Sequence, residues 1–224
     1  MKIIVLAGGL STERDVSLAS AAGICRTLLE KGHDAFLLDV FFGLENPPEN
    51  LEDVFTMPGH GLEIAGNISE AEPDLEAVRA SRPDQSDCFF GPNVIELCRM
   101  ADITFIGLHG GEGENGKLQA AFDLLGIRYT GPDSLGCAVA MDKGLTKAIF
   151  LEAGVDTPKG VCLHRDTADR SFASTGLTLP VVVKPCCGGS SIGVYIANTE
   201  EEYTAALENS FKYEEEAVVE VCIK

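Results

Sequence analysis

Lys184-Pro185-Cys186-Cys187-Gly188-Gly189-Ser190-Ser191-Ile192-Gly193 is the stretch on which the reading of this chain turns. Before it, Val181-Val182-Val183 is an apolar β-branched run that reads as a buried strand; after it, Val194-Tyr195-Ile196 reads as a second. The order is strand, loop, strand. Three glycines and two serines let this backbone approach phosphate oxygens, offering N–H and hydroxyl donors with no bulky side chain in the way. Lys184 at the mouth adds a point positive charge. A P-loop is ordered differently, with its glycines first and a helix after the lysine. Taken alone, the stretch is either a phosphate cradle or a flexible hairpin.

Upstream, residues 2–7 predict a short buried strand ended by Gly8-Gly9. Thr12 and Asp15 suggest a capping box for a helix with the apolar stripe Leu18, Ala22, Cys25 and Leu29, stopped at Gly32. A strand at 35–40 follows. Strand, helix, strand implies parallel pairing with a right-handed crossover, the opening of a doubly wound α/β domain. Between residues 41 and 92 neither period is sustained, and six of the ten prolines fall there; it reads as an insertion of loops or short strands, with Phe55, Ile64, Phe89 and Phe90 as apolar anchors. Residues 93–100 resume as a short helix and 103–108 as a third buried strand.

The loop after that strand, Gly107-Leu108-His109-Gly110-Gly111-Glu112-Gly113-Glu114-Asn115-Gly116-Lys117-Leu118-Gln119, matches two phosphate motifs by letter. Neither match survives its chemistry. Leu118 stands where a P-loop needs a magnesium-holding hydroxyl, and Glu112 with Glu114 would place carboxylates beside a pyrophosphate. Asn115 reads as the cap of a helix with stripe Leu118, Ala121, Phe122 and Leu125, closed by Gly126. His109 sits at the carboxyl end of a parallel strand, where open α/β sheets bind ligands, or is a satisfied buried histidine. Glu13 either complements the macrodipole of the first helix or accepts a substrate's positive amine.

Composition bounds the partners. The 224 residues carry 17 basic and 35 acidic side chains, a net charge of −18 that repels nucleic acid and anionic membranes. With 45% hydrophobic residues the chain can bury a core. No apolar run has spanning length, and the amino terminus is too short and glycine-ended for a signal peptide, so a cytoplasmic protein is expected. Cys25, Cys98, Cys137, Cys162 and Cys222 read as small reduced core residues. Cys186-Cys187 lacks the second pair of a zinc motif.

Four signatures in order resemble the D-alanine–D-alanine ligases of the ATP-grasp superfamily. They are Gly8-Gly9-Leu10-Ser11-Thr12-Glu13-Arg14-Asp15-Val16-Ser17; His109-Gly110-x-x-Gly113-Glu114-Asn115-Gly116-x-Leu118-Gln119; Met141-Asp142-Lys143; and the Lys184-to-Gly193 loop. The resemblance implies a preATP-grasp, Rossmann-like parallel-sheet domain over residues 1–135, carrying the 41–92 insertion, and an incomplete ATP-grasp subdomain over 136–224. It implies that ATP phosphorylates one D-alanine carboxylate and that the amine of a second attacks the acyl phosphate, supplying peptidoglycan precursors.

Residue by residue, the resemblance implies that Glu13 meets the ammonium of the first D-alanine, with His109 beside it. Lys143 and Lys184 would contact ATP phosphates, Ser190 the first substrate and the loop, and Ser191 the phosphates; Glu13 and Ser190 are the catalytic assignments. Glu220 and Ile223 resemble the hinge that reads adenine. Magnesium or manganese is expected with ligands beyond Lys224, so that this chain alone turns over poorly, and a homodimer is expected. Cys186-Cys187-Gly188 departs from the commoner pattern, which has polar or acidic residues there.

Overall fold

The computed structural model describes residues 1–69, 71–189 and 191–223. They form two compact units, Met1–Cys137 and Ala138–Lys224.

In the first unit, β1 (Lys2–Ala7), α1 (Arg14–Glu30) and β2 (Asp34–Asp39) make the expected strand-helix-strand unit. Next come two short 3-10 helices, Leu51–Thr56 and Leu62–Ile64, then α2 (Leu75–Ala80), α3 (Val94–Met100) and β3 (Ile103–Ile106). A single turn, α4 (Gly111–Glu114), leads into α5 (Lys117–Leu125). The sheet is parallel, ordered β2-β1-β3, with Ile4 opposite both Phe36 and Thr104. Its alternation divides the core. Ile4, Leu6, Phe36 and Leu38 pack with Leu97, Leu118 and Phe122 on one face. Ile3, Val5, Ala7 and Leu37 pack with Leu18, Ala21, Ala22 and Cys25 of α1 on the other. Helices on both faces explain why β1 is apolar at every position from Ile3 to Ala7 rather than at alternate ones.

The 41–92 segment holds no strand among the described residues. It is seated by Val54 and Phe55, both fully buried, by Phe90 stacked on Phe122 with centroids 6.1 Å apart, and by Arg82. Arg82 is 2% exposed, donates to the carbonyls of Cys88 at 2.5 Å and Phe90 at 3.2 Å, and lies over the Phe41 ring. The capping box expected at Thr12 and Asp15 does not form. The N-cap of α1 is Glu13 without a side-chain cap, because Ser11 closes the turn and Asp15 instead accepts from the Ser69 amide at 3.2 Å. Asn115 likewise bonds the Lys117 amide at 3.1 Å from one residue before the cap, which is Gly116.

The start of the second unit falls inside α6 (Ser134–Met141). Then follow α7 (Lys143–Glu152), β4 (Gly160–His164), α8 (Phe172–Thr175), β5 (Val181–Pro185), β6 (Tyr195–Ala197), α9 (Glu200–Ser210) and β7 (Glu216–Val221). The four strands form an antiparallel sheet ordered β4-β7-β5-β6. Val181, Val183, Ala217 and Val219 face Tyr203, Ala206 and Leu207 of α9. The two-residue period therefore turns Val182, Lys184, Val218 and Glu220 to the opposite face. Cys162 pairs with Val218 on that face and is exposed, and Cys222 is half-buried, so only Cys25, Cys98 and Cys137 of the expected core cysteines are core residues. No helix among the described residues is long and apolar enough to cross a membrane.

Candidate functional site

The first unit concentrates polar groups at the carboxyl ends of β1 and β3. Ser17 bridges those ends: its hydroxyl accepts from the Gly8 amide at 3.0 Å and donates to the Gly107 carbonyl at 2.7 Å. Ser11 joins the two loops, donating to the His109 carbonyl at 2.6 Å and accepting from the Glu13 amide at 3.2 Å. The His109 ring is anchored by Nε2 lying 3.1 Å from the Ser20 hydroxyl. Gly9, Ser11, Leu108, His109 and Gly110 line one small crevice together with Phe89.

Glu13 lies over Gly110. A Cβ placed on Gly110 would stand 2.8 Å from Glu13 Oε2, and Gly110 has φ +65° and ψ 179°, a conformation essentially reserved for glycine. The glycine thus creates the space that the carboxylate uses. Half-buried, Glu13 meets no cationic side chain among the described residues, and it can take the ammonium of a small ligand.

Sequence reasoning gave no role to the residues that fix this corner. Arg14 is buried, pairs with Asp39 at the end of β2, donates to the Gly9 carbonyl at 2.7 Å and lies 5.0 Å from the Phe42 ring centroid. Asp39 in turn accepts from the amides of Phe41 and Phe42 at 2.8 and 3.2 Å. The signal available in the sequence was an acid closing an otherwise apolar strand, which needs a partner once buried.

In the second unit the open face of the sheet carries the cationic groups. Asp142 caps α7 by accepting from the Leu145 amide at 2.8 Å, which puts Lys143 at the helix start. The Lys143 ammonium donates to the carbonyls of Cys186, at 3.3 Å, and Gly188; its amide bonds the same Cys186 carbonyl at 3.0 Å. Lys184 reaches Glu220 Oε1 at 2.5 Å, and Lys147 reaches Oε2 at 3.0 Å while also donating to Thr157 at 2.9 Å. Burial pushes the Glu220 carboxyl up, but hydrogen bonds from the two ammonium groups outweigh it and hold the group below its ordinary value. Lys147 was not foreseen, although its spacing of four from Lys143 puts both on one side of α7.

Lys143, Lys184 and Glu220 line two adjoining hollows of about 220 and 370 Å³. Gly188, Gly189, Ser191 and Ile192 roof the larger one; Thr157 and Phe150 border the smaller. Ser190 lies outside the described residues. Ile223 is 70% exposed, past the end of β7. Among the described residues lining both hollows Glu220 is the sole carboxylate, and both its oxygens are taken by lysines. That donor set does not fit a magnesium ion, which takes free carboxylate and water oxygens.

Comparison with known proteins agrees across both units. A family described as D-ala D-ala ligase N-terminus matches residues 2–132, and one described as D-ala D-ala ligase C-terminus matches residues 149–224. A D-alanine–D-alanine ligase of Lacticaseibacillus casei is 41% identical over 98% of this chain and 60% of its own length. That of Pediococcus pentosaceus is 41% identical over 98% of this chain and 62% of its own. The crystal structure of the Bacillus anthracis D-alanine–D-alanine ligase superposes with a TM-score of 0.69 at 26% identity, covering 100% of this chain and 58% of that one. The chain spans about 60% of the length of the curated relatives it matches.

Proposed function

The chain belongs to the D-alanine–D-alanine ligase family, and from that premise we propose that it serves the ATP-dependent joining of two D-alanines for peptidoglycan precursors. The observation that carries this reading is the convergence of Lys143 and Lys184 on one hollow beneath Gly188 and Gly189. Two ammonium groups under a roof of glycine backbone suit the phosphates of ATP, which an acidic protein can meet only through local positive charge. The free carboxylate of Glu13 over Gly110 suits the ammonium of the first D-alanine, with His109 beside it.

In this reading the terminal phosphoryl group passes to a D-alanine carboxylate oxygen, giving an acyl phosphate and ADP. Lys143 and Lys184 offset the negative charge on the transferring group. The amine of the second D-alanine then attacks the acyl carbon, the C–O bond to phosphate breaks, and the amine gives up a proton. Ser191 and the loop around it exclude water that would hydrolyse the acyl phosphate. Ser190 as a substrate contact, Glu220 and Ile223 as the adenine hinge, a magnesium or manganese ion with protein ligands other than the residues lining these hollows, a homodimer and a cytoplasmic setting belong to the same reading and are supported by the family resemblance.

Calorimetry on the 224-residue chain tests it, with ADP release on adding D-alanine measured separately. ATP should bind, and K143A and K184A should each weaken it by at least about tenfold, near 1.4 kcal/mol. Equal ATP affinity in the wild type and the double variant would overturn the assignment.

A further inference from the structure

One donor cluster has no part in that chemistry. Asp142, Cys186 and Cys187 place a carboxylate oxygen and two sulfurs within 4.8 Å of one another. The Cys186 thiol donates to Asp142 Oδ1 at 3.1 Å. Cys162 of β4, paired with Val218, brings a third sulfur close to the cluster. Gly144 leaves these groups their space: a Cβ there would stand 2.6 Å from Cys162 Sγ and 3.3 Å from both Cys186 Sγ and Asp142 Oδ1. Cys186 is buried and Cys187 exposed, so the cluster has an inner wall and an open mouth.

We propose that Asp142, Cys186 and Cys187 form a binding site for a thiophilic divalent cation, with Zn²⁺ as the reference ion. Two sulfurs and one carboxylate oxygen select a borderline-soft ion over magnesium. Tetrahedral bonds of about 2.3 Å to sulfur and 2.0–2.2 Å to oxygen put neighbouring donors somewhat under 4 Å apart, which small side-chain rotations reach from the present spacing. Solvent fills the fourth position on the exposed Cys187 side, and Cys162 stands beside the ligands without being one of them. Binding exchanges two thiol protons, released to water, for one cation, with no oxidation. The bound set of two thiolates, one carboxylate and Zn²⁺ carries a net charge of −1. The vicinal pair shows half of such a site in the sequence; the fold supplies the rest from α7 and β4.

Zinc titration of the reduced chain against a chromophoric chelator tests this. One equivalent should bind, and the Co²⁺ form should show thiolate-to-metal charge-transfer absorption. C186S, C187S and D142N, the last keeping an N-cap on α7, should each weaken binding by at least about tenfold. C162S should weaken it less and keep the stoichiometry, and C88S should change nothing. In the wild type, which needs no altered fold, zinc should protect Cys187 but not Cys88 from alkylation. Unchanged zinc affinity in C186S and D142N, or alkylation of Cys187 indifferent to zinc, would overturn the proposal, as would loss of binding in C88S.

Discussion

The ammonium group of Lys143 donates to the main-chain carbonyl of Gly188, so the residue at the head of α7 holds the base of the glycine loop. The bond occupies the same charge proposed to receive phosphate. Nucleotide binding must therefore exchange one acceptor for another. K143M, which keeps the aliphatic stem and loses the donors, should speed amide hydrogen exchange across residues 188–194 and weaken ATP by at least about tenfold. Exchange rates matching the wild type would show that the loop is held by something else.

Glu220 stands between Lys147 and Lys184, with both lysine side chains and its own largely shielded from water. E220Q leaves two ammonium groups facing a neutral amide, and should cost about 3–5 kcal/mol in urea unfolding near neutral pH. The sign of the pH effect follows from the depressed carboxyl. The folded protein binds fewer protons there than the unfolded chain, so the stabilisation is complete above the ordinary value of 4.5 and is lost as pH falls below it through the folded value. The stability difference between wild type and E220Q should shrink across that acidic interval. A constant difference would contradict the lysine pairing.

Arg14 and Asp39 form a buried pair that fixes the Gly8-Gly9 turn. R14A and D39A should each destabilise the first unit by about 3–5 kcal/mol, because each leaves a buried charge alone. The double variant should cost much less than the two losses together. Two-transition urea curves, one per unit, provide the measurement; full additivity would mean that the groups act separately.

Gly110 separates the substrate side from the nucleotide side experimentally. G110A forces an alanine into a conformation suited to glycine and presses its methyl on the Glu13 carboxylate. It should cost about 1–3 kcal/mol of stability and weaken D-alanine binding, leaving ATP affinity unchanged. Loss of ATP binding with D-alanine binding intact would reverse the proposed roles.

The parallel sheet was legible because β1 and β2 are continuous apolar runs and α1 carries a clean stripe, all set by local periodicity. The glycine loop was legible for the same reason, with strands on both sides. Glu220 was singled out through a resemblance, but not its pairing with Lys184, which depends on strand register between β5 and β7, nor that with Lys147, which comes from a distant helix. Arg14 with Asp39, and Asp142 with Cys162 and Cys186, are contacts between distant segments that no window of sequence displays. The 41–92 segment was opaque because Arg82 holds it together through the segment's own backbone carbonyls, and such bonds leave no pattern in residue type.

In the antiparallel sheet β7 lies between β4 and β5 although it is the last of the four to be synthesised. Until residues 216–221 leave the ribosome, β4 has no hydrogen-bonding neighbour and β5 has only β6. Lys147 and Lys184 likewise wait for the carboxylate that β7 brings. Bare strand edges are prone to pairing with other chains, and the middle strand is the element that covers the facing edges of β4 and β5.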